Sequence, residues 1–383
     1  MTHHIVTWCD ELANNRNVEF YVFETESFPL HRIAQGYEDW QKTRPYCINV
    51  NESVPNKRFA ELLSVNADIA IFAGGSYYYQ DLRSRFPLKI SFKLKERLYK
   101  YGLDQKYDQR VCEELYQKHG RFLTTNLYYL CVGSYTAYDV NYQGFETSRL
   151  IQWGYFPPFI KHDIEKFSTL SYPISILWIG NMEMAKQPIM ALEAIEILVK
   201  SGYEVNLKYI GDGELRAKLE SLIIEKGLNK QVQILPYMSW RKVREELINN
   251  GMCIITSNYA EGWGAVISEA MNDGNIVLSS TASGATGVLI KHKYNGLWFD
   301  HTSPEQLAES IKWVYDNPNV HKEIRRNAYH TISSKWNGRI AAERLYHVIC
   351  SVLNDRRVDY FQDNGICSQP QLIETIHDLW KLV

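Results

Sequence analysis

From Ile174 onward, short apolar runs alternate with longer amphipathic segments, and this alternation limits the possible folds more than any other feature of the chain. The runs are "ISILWIG", "VNLKYIG", "VQILP", "MCIITS" and "NIVLSS". Between them lie "QPIMALEAIEILVKSG", "GELRAKLESLIIEKG" and "WRKVREELINNG", each with helical spacing of its apolar residues. Strands that are apolar on both faces, each followed by a helix, describe a parallel sheet covered on both sides. Such sheets bind ligands beyond the carboxyl ends of their strands, so the loops that follow the strands are where chemistry is expected.

The first half predicts α/β structure as well, with strands at "EFYVFE", "IAIFAG" and "YYLCVG" and helices at "RFAELLSV" and "DQRVCEELYQKHG". A polar, proline-bearing stretch from Phe156 to Pro173 reads as a linker. Three helices follow the second sheet, and "QLIETIHDLWKLV" suggests one more near the end. At 383 residues the chain is too long for one core, so the expected division is 1–168, 169–340 and a helical tail 341–383 packing back toward the first domain. A formal net charge of -2 argues against a nucleic-acid partner. Seven scattered cysteines without a Cys-x-x-Cys pair read as reduced thiols rather than a zinc site or a disulfide framework. No apolar run is long enough to span a membrane and no signal peptide is evident, which gives a cytoplasmic expectation.

The most informative loop is "NYAEGWGAVISEAMNDG", Asn258 to Gly274, which follows the strand "MCIITS". Gly262 and Gly264 let backbone approach a ligand closely, with Trp263 between them. A helix is predicted to begin near Ala265 and Val266, where unpaired amides and the positive end of the helix dipole favour a diphosphate. Glu261 stands before this turn, placed to accept hydrogen bonds from sugar hydroxyls. Glu269 stands about one turn into the helix, pointing back toward its start, placed to accept from a ribose. A Glu-x7-Glu spacing alone is common by chance; the strand before it and the Gly-x-Gly inside it give it weight. After "ILWIG", Lys186 is predicted at a helix start, where a cation opposes the dipole unless an anion shares the site. Pro236 and Tyr237 follow another strand, and Tyr237 is a candidate surface for a base. The small residues and glycines of "SSTASGATGVLI" suggest further phosphate or sugar contacts.

In this order and spacing, "ILWIGNMEMAKQPIMALEAIEIL", "KYIGDGELRAKLE", "EGWGAVISEAMNDG", "SGATGVLIKHKYNGLWF" and "SPEQLAESI" resemble the nucleotide-binding domain of retaining glycosyltransferases of the GT-B fold, family four. The likeness covers about half the chain, and "LKERLYKYG" and "IQWGYFP" are similar to a bacterial polysaccharide-assembly subset. It implies two Rossmann-like domains facing a central cleft, the first binding an acceptor and the second a nucleoside-diphosphate sugar. By resemblance, Glu261 holds the donor sugar, Glu269 the ribose and Lys186 the diphosphate. Gly180 begins the loop that carries Lys186. The family usually has an arginine soon after that glycine; here Asn181 stands there. No Asp-x-Asp triplet occurs, so neither a metal nor a cofactor is expected, and the amides with Lys186 replace the metal.

On the acceptor side, "THHIVTWCDEL" reads like the first loop and helix of such a domain with no strand ahead of it. His3 and His4 become acceptor-side candidates, as does Ser76 in "AGGSYYY". From Arg83 to Lys100 seven basic residues face one acid, with aromatics interleaved, which suits a membrane surface or a polyprenyl-diphosphate acceptor. Two other readings compete with a transferase: a binding or scaffold subunit weakened at Asn181, and a nucleotide-sugar epimerase, which the Glu-Gly-x-Gly arrangement disfavours.

Overall fold

The structure is a computed structural model and describes residues 4–26, 40–74, 77–375 and 378–379. The chain forms two compact units, one holding the described residues up to Pro158 together with Trp336–Glu374, the other holding Phe159–Lys335.

In the first unit the described elements up to Pro158 are α1 (Val6–Ala13), β1 (Val22–Glu24), β2 (Cys47–Asn49), α2 (Val54–Asn66), β3 (Ile69–Ala73), α3 (Tyr77–Ser84), β4 (Ile90–Lys95), α4 (Gln109–Lys118), β5 (Leu127–Val132), α5 (Thr136–Tyr142) and β6 (Leu150–Trp153). Strands β3 to β6 form a four-stranded parallel sheet in chain order, while β1 and β2 pair in parallel with each other. Among the described residues, His4 and Ile5 precede α1 as a turn.

The second unit contains β7 (Ile174–Ile179), α6 (Pro188–Lys200), β8 (Val205–Ile210), α7 (Arg216–Glu225), β9 (Val232–Leu235), α8 (Trp240–Asn250), β10 (Met252–Ile255), α9 (Ala265–Asn272), β11 (Ile276–Ser280), α10 (Thr286–Leu289), β12 (Leu297–Phe299), α11 (Pro304–Asp316) and α12 (His321–Ser334). Its six strands run parallel in the order β12-β11-β10-β7-β8-β9. Ile174, Ile176, Trp178, Leu207, Tyr209, Ile254, Leu278 and Phe299 are buried in it with Leu192, Ile195 and Leu198 of α6, which is why these strands read as unbroken apolar runs. Helix α13 (Gly338–Asp355) then returns to the first unit and packs on α1. Among the described residues, no helix is long and apolar enough to cross a membrane.

The join falls at Pro158–Phe159, ahead of residue 168, because the stretch that reads as a linker is tied to the second unit. Asn272 at the end of α9 exchanges two hydrogen bonds with the Ile160 backbone, at 2.9 and 2.8 Å. His162 Nε2 lies 2.8 Å from Asp273 Oδ1, and Arg244 from α8 donates to Asn272 and to both carboxylate oxygens of Asp273. The expected terminal helix lies mostly outside the described residues, and 371–375 are irregular.

The basic stretch from Arg83 to Lys100 is not one solvated face: Arg85 is exposed and Lys89, Lys95 and Lys100 are half-buried, but the other three basic residues are buried. It holds β4, a central strand that charge patterning conceals. Arg83 is 2% exposed and donates to the carbonyls of Ser64, Ala67, Asp68 and Ile90, while Lys93 and Arg97 are also buried. All seven cysteines are free thiols.

Asp273 is buried with its charge held by Arg244, so removing the arginine leaves a buried carboxylate without that partner. Arg244→Leu is expected to cost about 3–5 kcal/mol in urea unfolding. A loss below about 1 kcal/mol would show that the clamp contributes little.

Candidate active site

The strand order of the second unit reverses between β7 and β10, which lie side by side and leave in opposite directions. At such a switch point the two following loops diverge and open a crevice at the carboxyl ends. The loop after β7 carries Gly180, Asn181 and Lys186; the loop after β10 carries Glu261 and the glycine turn.

Lys186, expected at a helix start, lies two residues ahead of Pro188, where α6 begins. It ends a short 3-10 turn, Met184–Lys186. Gln187, at φ 47° and ψ 54°, then redirects the chain into Pro188 at the start of α6. A non-glycine residue in the left-handed region carries strain, here held by its surroundings. Thr256, 1% exposed, accepts from Trp178 Nε1 at 2.8 Å and donates to the Lys186 carbonyl at 2.6 Å. Asn258 N donates to the Ala185 carbonyl at 2.9 Å, a second bond between the two loops. Glu261 N in turn donates to the Asn258 carbonyl at 3.1 Å, which closes the turn that presents the glutamate.

The result is an ion pair between Lys186 Nζ and Glu261 Oε2, formed by side chains 75 residues apart and only 28% and 15% exposed. The glycine turn beside it is tightly enclosed. Gly264 has φ 91° and ψ 67°, and a Cβ there would lie 2.6 Å from Ser283 Oγ. A Cβ on Gly284 would overlap the Gly262 carbonyl oxygen. Ser283 Oγ donates to the Trp263 carbonyl at 3.0 Å, and Ala285 N donates to the same carbonyl at 2.8 Å. Thus the "SGATG" segment after β11 buttresses the turn from behind, a role that its small residues alone do not reveal.

Within α9, Ile267, Ser268, Ala270, Met271 and Asn272 are buried, while Ala265, Val266 and Glu269 are half-buried. These three share one face, which runs from the amino end of the helix to the second carboxylate. Trp263 is 1% exposed, its Nε1 donating to Ser268 Oγ at 3.3 Å, so it offers a ligand backbone rather than indole. Gly180 and Asn181 lie directly after β7, and Asn181 is exposed. Tyr237, 37% exposed, follows the edge strand β9, two strands from β7. Of the acceptor-side candidates, His4 lies in the other unit and stacks on Tyr155 with ring centroids 5.7 Å apart, while His3 and Ser76 lie outside the described residues. Thr256 and Gln187 escape a reading of the sequence, because neither their spacing nor their type marks them before the loops are folded.

The paired loops, the glycine turn and the half-exposed face of α9 all lie within one matched segment. Residues 161–331 match the model of the Glycosyl transferases group 1 family. An α-D-kanosaminyltransferase from Streptomyces kanamyceticus is 24% identical over 181 residues, covering 47% of this chain and 46% of that protein. An α-1,4-N-acetyl-D-galactosaminyltransferase from Campylobacter jejuni, whose acceptor is named as a diNAcBac-PP-undecaprenol glycan, is 30% identical over 155 residues, 40% of this chain and 42% of that protein. The chain therefore spans less than half the length of these curated relatives in the matched region. The α/β architecture is shared with the crystal structure of HepE from Anabaena in complex with UDP and glucose, at a TM-score of 0.63 and 14% identity, covering 90% of this chain and 95% of that chain. At that identity the likeness speaks for the fold: α/β with parallel sheets, as expected for GT-B.

Because the overlap at Gly284 is with backbone, the turn must move to admit a methyl group. Gly284→Ala is expected to lose about 1–3 kcal/mol of stability in denaturant unfolding. Wild-type stability in that variant would mean that the contact between the two loops is slack.

Proposed function

We propose that the chain is a retaining glycosyltransferase, moving a sugar from a nucleoside-diphosphate donor to a carbohydrate or lipid-linked acceptor in bacterial surface-polysaccharide synthesis. The observation that carries this reading is the Lys186–Glu261 pair beside the amino end of α9, at the switch point of a parallel sheet. Lys186 and the amides near Ala265 and Val266 supply positive charge for the diphosphate, and Glu261 accepts from hydroxyls of the donor sugar. Glu269, farther along the same helical face, accepts from the ribose; Tyr237 offers a surface for the base. Fixed positive groups aimed at a departing diphosphate stabilise charge as it develops. The reading needs neither a divalent cation nor a cofactor, because Lys186 and the amides provide that charge. The names of the matched relatives support sugar transfer, and that of the Campylobacter protein supports a lipid-linked glycan as one acceptor class. The site of action would be the cytoplasm, at the inner face of the membrane. With Arg83, Lys93 and Arg97 buried, the stretch from Arg83 to Lys100 is not proposed as the membrane contact.

The test is transfer or hydrolysis by the purified chain across a panel of nucleotide sugars, in buffer with and without a chelator. Lys186→Ala is expected to lower turnover about 10²–10³-fold while leaving the protein folded. Asn181→Arg, which places a second cation on the same loop, is expected to raise diphosphate affinity or turnover. If both substitutions are silent, the charge-stabilisation reading is wrong.

The two glutamates should separate in calorimetry. Glu269→Ala removes a charged acceptor, and hydrogen bonds to charged groups are worth roughly 1.5–3 kcal/mol, so nucleoside-diphosphate affinity should fall about tenfold to a hundredfold. Glu261→Gln should keep nucleoside-diphosphate binding and lose transfer. Unchanged affinity in Glu269→Ala would remove the ribose assignment, and unchanged turnover in Glu261→Gln the donor-sugar one.

A further inference from the structure

Strand β4 places Lys93, Lys95 and, just past its end, Arg97 at alternate positions, and alternate side chains of a strand share a face. Lys93 is 3% exposed; its ammonium donates to the Lys118 carbonyl at 2.8 Å and lies 4.5 Å from the centre of the Tyr77 ring. Arg97, 2% exposed, stacks on Tyr135 at 4.8 Å with the Asp139 carboxylate 3.8 Å away. Lys95 stands between them, half-buried, and among the described residues it makes no hydrogen bond or ion pair. Asp139 faces Arg97, and among the described residues no hydrogen bond or ion pair joins Lys95 to any of the nearby carboxylates. Glu96 takes Lys100 on one oxygen and the Tyr155 hydroxyl on the other, at 2.7 and 2.9 Å. Glu114 pairs with Lys118, Asp81 with Arg121, and Asp139 accepts from the Leu98 and Tyr99 amides.

A desolvated ammonium is costly unless an anion or acceptor answers it. Burial, reinforced by Lys100, holds Lys95 below the usual lysine value, and burial with Lys95 as neighbour brings Lys93 down to about 7. The same cations, after burial, depress His119, whose Nδ1 sits 2.8 Å from the Tyr129 hydroxyl. Lys93 and Arg97 are each answered by a carbonyl, ring or carboxylate, whereas Lys95 at the strand end has no such partner among the described residues. The place itself is the carboxyl end of the central strands of a parallel sheet, where such folds bind ligands.

We infer that Lys95, backed by Lys93 and Arg97, forms a seat for a phosphate or diphosphate group in the first unit. Lysine binds phosphate as a compact point charge, and several cations in one row suit a multiply charged group better than a single carboxylate. Assigning that phosphate to the acceptor rests on the glycosyl-transfer reading; the seat itself does not. Two sources share the chemistry, a soluble phosphate-bearing molecule and a lipid-linked diphosphate.

The experiment measures, lysine by lysine, the rate of acetylation of the full chain by mass spectrometry, with inorganic pyrophosphate and with farnesyl diphosphate as probes. At ten times its dissociation constant a probe should slow modification of Lys95 about tenfold by mass action. The protection should persist in Lys186→Ala, which removes the cation of the other unit's site. Stronger protection by farnesyl diphosphate than by pyrophosphate points to the lipid-linked source, equal protection to the soluble one. Lys95→Met keeps the stem and removes the charge; pyrophosphate binding to the first unit should fall about tenfold, with Tm equal to or above the wild type. Lys95 left unprotected by both probes overturns the inference, as does a Lys95→Met variant that is destabilised yet binds normally. Protection of Lys95 without protection of Lys186 leaves the seat intact and counts against the donor reading instead.

Discussion

The reversal of strand order between β7 and β10 is the constraint from which the rest of the second unit follows. Two adjacent parallel strands whose chains depart toward opposite sides cannot have their loops packed over one another. The loops must be held by something else, and here they are joined by the Thr256 hydroxyl, the Asn258 amide and the Lys186–Glu261 pair. These contacts bring together residues that the chain separates widely. They also fix the start of α9 beside the pair, because Gly264 and Gly284 leave no slack in the turn.

Much of this unit is legible in advance because a sheet covered on both faces writes itself as apolar runs. Every strand expected there, from "ISILWIG" to "NIVLSS", forms, and Lys186, Glu261 and Glu269 fall on loops or helix faces that follow strand ends. The short strand β12 and the helix α10 are less visible, since each is only a few residues long. Lys186 lies two residues ahead of α6: helix periodicity marks where α6 runs, but not the 3-10 turn that precedes it. The burial of Trp263 is equally hidden, because nothing in the sequence of a Gly-Trp-Gly turn shows that the indole packs beneath it.

The first unit is harder to read for a physical reason. Its central strand β4 alternates apolar residues with lysines, a pattern that ordinarily means one wet face. Here Lys93 is buried and accommodated by a backbone carbonyl and an aromatic ring, and Arg97 just past the strand by another ring, while Lys95 stays half-buried. Arg83 shows the same principle, its one guanidinium answering carbonyls at the end of α2 and at the start of β4. No local pattern announces such an arrangement, because the acceptors are main-chain groups from segments that have no sequence signature.

On the proposed glycosyl-transfer reading, the pairing of Lys186 with Glu261 would bear on turnover as well as on binding. A donor that engages both side chains exchanges one attraction for two, diphosphate on the ammonium and hydroxyls on the carboxylate. The leaving nucleotide keeps only the first. On that reading its departure would let the two side chains close on each other again, so that part of the work of product release would be done inside the protein. Under the proposed glycosyl-transfer reading the site would favour the intact donor over the spent nucleotide, a directionality set by the protein's own ion pair rather than by any contact with the base.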